Sequence, residues 1–291
     1  VREFRHDHEI YTMGYCDLRD ERAVRNLIKE YKPERVIHCA AKVGGVMANR
    51  DNPVAFMLDN LRMQNNVIEA CAKAHVEKLC FVGTSCMFPR DASMPVQESS
   101  LFTGRLEDSV EAYAIAKIAG WRLCKAYHEQ YGLKFVTIAP SNIYGPNDNY
   151  SDEAHVVPAL IRRFHQTLAT SSTIKVWGDG SAVREFIYSE DVASAVRVIL
   201  DKWESPEVIN VGTGLGTSIK ELAELIIKTG SFGSMAKEIE WDTEKPSGIP
   251  RKTFDVSKLA GLGWKPRYSL EKGLELTWKD FRSTPRPRGM F

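Results

Sequence analysis

The chain has 291 residues, 43% hydrophobic and 26% charged, with a formal net charge of +1. That length fits one large or two modest domains, and the composition is that of an ordinary globular protein. No sustained basic run favours nucleic acid, no apolar stretch approaches the roughly 20 residues of a membrane span, and Val1 to His6 lack the apolar core of a signal peptide, so we expect a cytoplasmic protein with neither kind of partner.

Along the chain, Glu9 to Met13 read as a short strand. Asp17 to Asp20 precede a helical pattern from Arg22 to Tyr31, with Asp20 placed to cap it. Arg35 to Ala41 form a buried-strand pattern that runs into Lys42-Val-Gly-Gly45, where two glycines permit a tight turn. Asn52-Pro53 opens a helix with Phe56, Asn60, Met63, Val67 and Ala70 at helical spacing. Lys78 to Gly83 are a further apolar strand, followed by Thr84-Ser-Cys-Met-Phe-Pro89. A helix through Tyr113 continues to Tyr131. Lys134 to Ala139 form the next strand, with Pro140 to Pro146 behind it.

Beyond about residue 147 the alternation loosens. A helix spans His155 to His165, and Lys175 to Gly180 are a strand into a turn. Arg184 to Asp191 lead into a helix, and Val208 to Gly212 return as a strand. Gly212-Thr-Gly-Leu-Gly216 has the look of a phosphate loop but the wrong spacing, and we read it as a turn before a helix at Ser218. The tail from Ser283 is expected to be mobile. Six cysteines (Cys16, Cys39, Cys71, Cys80, Cys86 and Cys124) show no C-x-x-C pair and no metal-ligand grouping, so no metal is expected. Apolar surroundings mark Cys39 and Cys80 as buried, reduced thiols.

Strands alternating with helices indicate an α/β protein with a doubly wound parallel sheet, in which ligands bind beyond the carboxyl ends of the strands. Ala40 to Gly45, Thr84 to Cys86 and Ser141 to Pro146 occupy such ends. Tyr113 and Lys117, four residues apart, share one helix face. A free phenol titrates near 10, and a neighbouring ammonium would lower that value and make Tyr113 a usable proton donor.

Read together, the motifs His38-Cys-Ala-Ala-Lys-Val-Gly-Gly45, Gly83-Thr-Ser-Cys86, Tyr113-Ala-Ile-Ala-Lys117, Asn142-Ile-Tyr-Gly-Pro146, the helix from His155 to His165, Val176-Trp-Gly and Arg184-Glu-Phe186 are similar to those of the extended short-chain dehydrogenase/reductases. The resemblance is strongest to the branch that epimerises GDP-4-keto-6-deoxy-D-mannose at C3″ and C5″ and reduces it at C4″ to GDP-L-fucose. It implies a Rossmann-like dinucleotide-binding domain over residues 1–150 and a smaller α/β substrate domain over 151–291, with segments near 181–212 returning to the first. The family's opening strand and Gly-rich loop are absent from this sequence. That strand is central in the family's sheet, and each buried unpaired backbone group costs about 1–3 kcal/mol, so we expect the natural chain to extend upstream of Val1.

The resemblance also distributes roles. The substrate ketone acidifies the protons at C3″ and C5″, and Cys86 and His155 match the family's acid/base pair. Free thiol and imidazole pKa values of about 8.5 and 6.5 suit proton exchange in both directions. Tyr113 would protonate the C4″ alkoxide, Lys117 would hold the nicotinamide ribose, and Thr84, with Ser85 as a second candidate, would bond the ketone oxygen. NADP would lie along Val82, Gly83, Thr84, Ser85, Pro140, Ser141, Asn142, Ile143 and His155. Ala40 and Ala41 would allow close approach, and Asp17 and Leu18 would face the adenine. Arg163, Trp177, Arg184 and Ser247 would meet the GDP-sugar, with Arg251 and Lys252 nearby. The family often carries Asp at the position of Ser247, and one hydroxyl cannot pair with two guanine N–H groups as a carboxylate can. A homodimer through the two long helices is implied. Another nucleotide-sugar epimerase or dehydratase, or a non-catalytic homologue, remains an alternative reading.

Overall fold

The computed structural model describes residues 9–12, 16–168, 173–230, 238–244 and 249–290. In chain order these form α1 (Glu21–Tyr31), β1 (Arg35–His38), α2 (Val46–Asp51), α3 (Pro53–Lys73), β2 (Lys78–Val82), α4 (Glu111–Tyr131), β3 (Lys134–Pro140), β4 (Asn142–Tyr144) and α5 (Val156–Leu168). Then follow β5 (Thr173–Trp177), β6 (Val183–Tyr188), α6 (Ser189–Lys202), β7 (Val208–Val211), β8 (Gly216–Ser218), α7 (Ile219–Thr229), β9 (Glu238–Asp242), β10 (Arg251–Lys252), α8 (Ser257–Gly261) and α9 (Leu270–Ser283).

Strands β1, β2, β3 and β7 make a parallel sheet in that order. Side chains alternate across a strand, and the two faces bury different partners. Leu79, Phe81 and Phe135 face α1, α3 and α4 with Val24, Ile68 and Cys124. Cys80, Val136, Ile138 and Ile209 face α6 and α8 with Val196, Ile199 and Leu259. Helices on both faces are what a doubly wound sheet requires. A second sheet runs β10-β6-β4, with β8 antiparallel to β6, and β5 pairs with β9. Its core gathers Tyr144, Phe164, Leu222 and Trp278 from β4, α5, α7 and α9.

Most predicted elements are found within a residue or two of their expected bounds. Asp20 caps α1 by accepting the Ala23 N–H at 3.1 Å, and Ser218 forms a capping box with Glu221 on α7. Three expectations are corrected, and one element is new. Glu9 to Thr12 are not a strand, because extended backbone needs a ladder partner and none is present among the described residues; Met13 lies outside them. Helix α2 follows the Lys42–Gly45 turn over residues that carried no predicted element, starting at Gly45 without a side-chain cap. Cys39 is exposed, unlike Cys80, since β1 has one strand neighbour among the described residues and the chain leaves the sheet beyond His38. The tail is anchored: the Tyr150 N–H donates to the Arg288 carbonyl at 2.7 Å, and Gly289 turns at φ +84° against Asn149 and Ser151.

Candidate active site

The site grows from the carboxyl end of β2. Gly83 donates its N–H to the Ile138 carbonyl at 2.8 Å, and a Cβ there would lie 2.8 Å from both that oxygen and the Met87 sulfur. The chain then tightens into a single turn over Ser85–Met87, and the Thr84 hydroxyl accepts the Cys86 N–H at 3.3 Å. Val82, Thr84, Ser85 and Cys86 are all half-buried.

Helix α4 packs on that turn and brings Tyr113 to it. The Thr84 hydroxyl lies beside the phenol. Burial pushes the phenol pKa above the usual range, the neighbouring Cys86 sulfur adds to the rise, and the Thr84 hydroxyl opposes it. Lys117 is 2% exposed. Its ammonium donates to the Val82 carbonyl at 2.8 Å and sits 4.8 Å from the Phe81 ring centre. Burial lowers it to about 8. The expectation that Lys117 would acidify the phenol is therefore not met: the ammonium is committed to the β2 backbone, and desolvation dominates at Tyr113. His38, stacked on Phe81 at 5.8 Å, is 3% exposed and lowered to about 3 by burial and by the Lys117 charge.

The Lys42–Gly45 turn is held by a residue that the sequence reading placed only on a helical stripe. Asn60 accepts the Lys42 N–H at 2.9 Å and donates to the Lys42 and Phe56 carbonyls at 3.0 and 2.6 Å. Gly45 N donates to the Glu153 carbonyl at 2.8 Å, which ties this turn to the segment leading into His155. The His155 carbonyl accepts the Ala159 N–H at the start of α5. The residue keeps an exposed flank, yet desolvation lowers its imidazole pKa. Ala40 is exposed and Ala41 half-buried beyond β1.

Pro140 and Ser141 are buried at the end of β3, Asn142 donates to the Glu185 carbonyl at 2.8 Å, and Ile143 is 37% exposed. Arg163 on α5 lies over the Trp177 ring at 5.3 Å, and Trp177 is 48% exposed. Arg184 and Lys252 are opposite each other in the β6–β10 register. Burial lowers the pKa of both, and Lys252 is influenced by Cys86, Arg184 and Glu107. The structure thus brings Thr84, Cys86 and Tyr113 together, and Lys252 extends that group toward Arg184.

Asp17 and Leu18 precede α1. The Asp17 carboxylate is taken by Arg19 at 2.8 Å, which holds it down at about 2, while the Leu18 carbonyl accepts from Asn66 on α3 at 2.9 Å. Ser247 lies outside the described residues. Among the described residues no group of three or more His, Cys, Asp and Glu could hold a metal. Glu185, an acidic residue inside an apolar strand that the sequence did not single out, is 1% exposed.

A Tyr-x-x-x-Lys helix thus stands beside a strand-end hydroxyl and thiol on a doubly wound parallel sheet. The NAD dependent epimerase/dehydratase family model matches residues 2–212, and the chain belongs to that family. A GDP-L-fucose synthase of Sinorhizobium fredii is 44% identical over 267 residues, covering 91% of this chain and 84% of that protein. The GDP-L-fucose synthase of Escherichia coli is 40% identical over 281 residues, covering 93% and 87%. Among solved structures, a GDP-L-fucose synthetase of Naegleria fowleri bound to NADP is similar with a TM-score of 0.85 at 30% identity, covering 92% of this chain and 82% of that one.

Proposed function

We propose that the protein converts GDP-4-keto-6-deoxy-D-mannose to GDP-L-fucose by 3,5-epimerisation followed by NADPH-dependent 4-reduction. The observation that carries this reading is the meeting of Cys86, Tyr113 and Thr84 at one strand end in a chain 40–44% identical to the two GDP-L-fucose synthases compared. Removing a proton beside the ketone leaves an enolate. Cys86 and His155 exchange the protons at C3″ and C5″, and the lowered imidazole pKa means that His155 begins neutral, as a base. Thr84 bonds the ketone oxygen beside Tyr113. The raised phenol pKa keeps Tyr113 protonated, ready to give its proton to the C4″ oxygen as charge develops there.

The residues fit the nicotinamide half of NADP. Ala40 and Ala41 add little bulk at an open rim, the Ser141 hydroxyl is buried without a partner of good geometry, and Lys117 is fixed beside Val82. Val82, Gly83, Ser85, Pro140, Asn142 and Ile143 would complete that wall, and bound NADPH would supply the hydride for C4″. Asp17 is a weaker candidate for the adenine, being committed to Arg19. Arg163, Trp177, Arg184 and Lys252 would meet the diphosphate and base: guanidinium groups pair with phosphate oxygens, and the exposed indole offers a stacking face.

Several coarser proposals accompany this reading. Residues 1–150 form the dinucleotide-binding domain and 151–291 mainly the substrate domain; the pairing of β7 with β3 supports a return to the first. A homodimer through α3 and α4 is supported by exposed Val54, Leu58 and Ile115 on those helices. A cytoplasmic site goes with six unpaired thiols. No described helix is long and apolar enough to cross a membrane.

The test is turnover of the 4-keto sugar with NADPH by wild type and Tyr113→Phe. We expect GDP-L-fucose from wild type and a loss of about 10²–10⁴-fold in the variant, the usual span of general acid catalysis. Tightly held NAD with no turnover of this sugar would contradict the reading.

A further inference from the structure

The Gly212-Thr-Gly214 turn offers its N–H groups to a carboxylate of the same chain. Thr213 and Gly214 donate to Glu185 Oε1 at 2.6 and 3.0 Å, and Phe254 donates to Oε2 at 2.7 Å. Glu185 is 1% exposed, and among the described residues no Lys or Arg pairs with it. A Cβ on Gly212 would come within 1.9 Å of Oε1, so the glycine leaves the room that the carboxylate fills.

The two strands that Glu185 joins have a reason to separate. Strand β10 is two residues long, and its Lys252 stands opposite Arg184 of β6. Like charges directly across a ladder repel. Glu185 follows Arg184 in β6, and its tether reaches Phe254, two residues past Lys252. Phe254 in turn packs edge-on against Phe88 at 5.4 Å, next to the Cys86 turn. We infer that Glu185 is a positioning residue: its carboxylate pins β10 and the 212–214 turn to β6, holding the Arg184 and Lys252 charges side by side for the anionic part of the substrate. The inference rests on the GDP-sugar reading above. Burial raises the carboxyl pKa, and the Phe254, Gly214 and Thr213 N–H donors work against that rise.

Two variants test it. Glu185→Gln keeps the size but carries one acceptor oxygen, so it cannot accept at both ends. Gly212→Ala keeps the charge and displaces it, and carries the test should the first variant fail to fold. Hydrogen exchange at the Thr213, Gly214 and Phe254 amides reads the pin, and calorimetric titration with GDP reads its consequence. We expect at least one amide to exchange about tenfold faster, GDP to bind about tenfold more weakly, and KM for the sugar nucleotide to rise more than kcat falls. Unchanged exchange, or faster exchange with GDP affinity within about twofold of wild type, overturns the inference. A wild type that does not bind GDP contradicts the GDP-sugar reading itself and removes the basis of the inference with it.

Discussion

Lys117 and His38 share one buried neighbourhood and divide its charge between them. Lys117 donates to the Val82 carbonyl, while His38, with no partner on Nε2, is held neutral. A histidine lowered to about 3 in the fold and near 6.5 when unfolded binds its proton more readily in the unfolded chain. The stability it contributes is present above the unfolded value and is lost as pH falls through the window between the two. Denaturant titrations between pH 7 and pH 4 should therefore show wild type weakening on acidification and His38→Asn weakening less steeply; parallel profiles would contradict this. Residue spacing made Tyr113 and Lys117 legible, since four residues on a helix suffice to face both side chains one way. Glu185 was not legible, because its donors lie 28, 29 and 69 residues away in the chain.

At the scale of elements, apolar periodicity announced α3, α4 and the parallel strands, and capping chemistry announced α1. The polar residues inside those patterns carry what periodicity hides. Asn60 occupies a buried position of α3, yet it serves the backbone of the Lys42 turn in both directions. Asn60→Ala would leave the Lys42 N–H without its acceptor and should cost about 1–3 kcal/mol in denaturant unfolding. A cost below about 0.5 kcal/mol, the level of an ordinary surface change, would show that the turn is held by other contacts. Short elements escaped the sequence for a related reason. Helix α2 and strand β10 are six and two residues long, too short for a period to be seen. Strand β10 exists through its tethers to β6 rather than through its own propensity.

For the whole molecule, one sheet with helices on both faces supplies the strand end that Thr84 and Cys86 follow, and the second sheet sets Arg184 and Lys252 side by side. The exposed apolar positions on α3 and α4 belong to this scale as well. Leu58→Glu should convert a sedimenting dimer to monomer, whereas a dimer unaffected by that change, or a wild type that sediments as monomer, would remove the proposed interface. The central claim is that a thiol, an imidazole and a phenol act on one ketone-bearing ring, and solvent deuterium reports on it directly. Wild type turning over the 4-keto sugar with NADPH in D2O should place deuterium at both C3″ and C5″ of the product, and Cys86→Ser should sharply slow that incorporation. Product carrying no deuterium at either carbon, or incorporation unchanged in Cys86→Ser, would contradict the account.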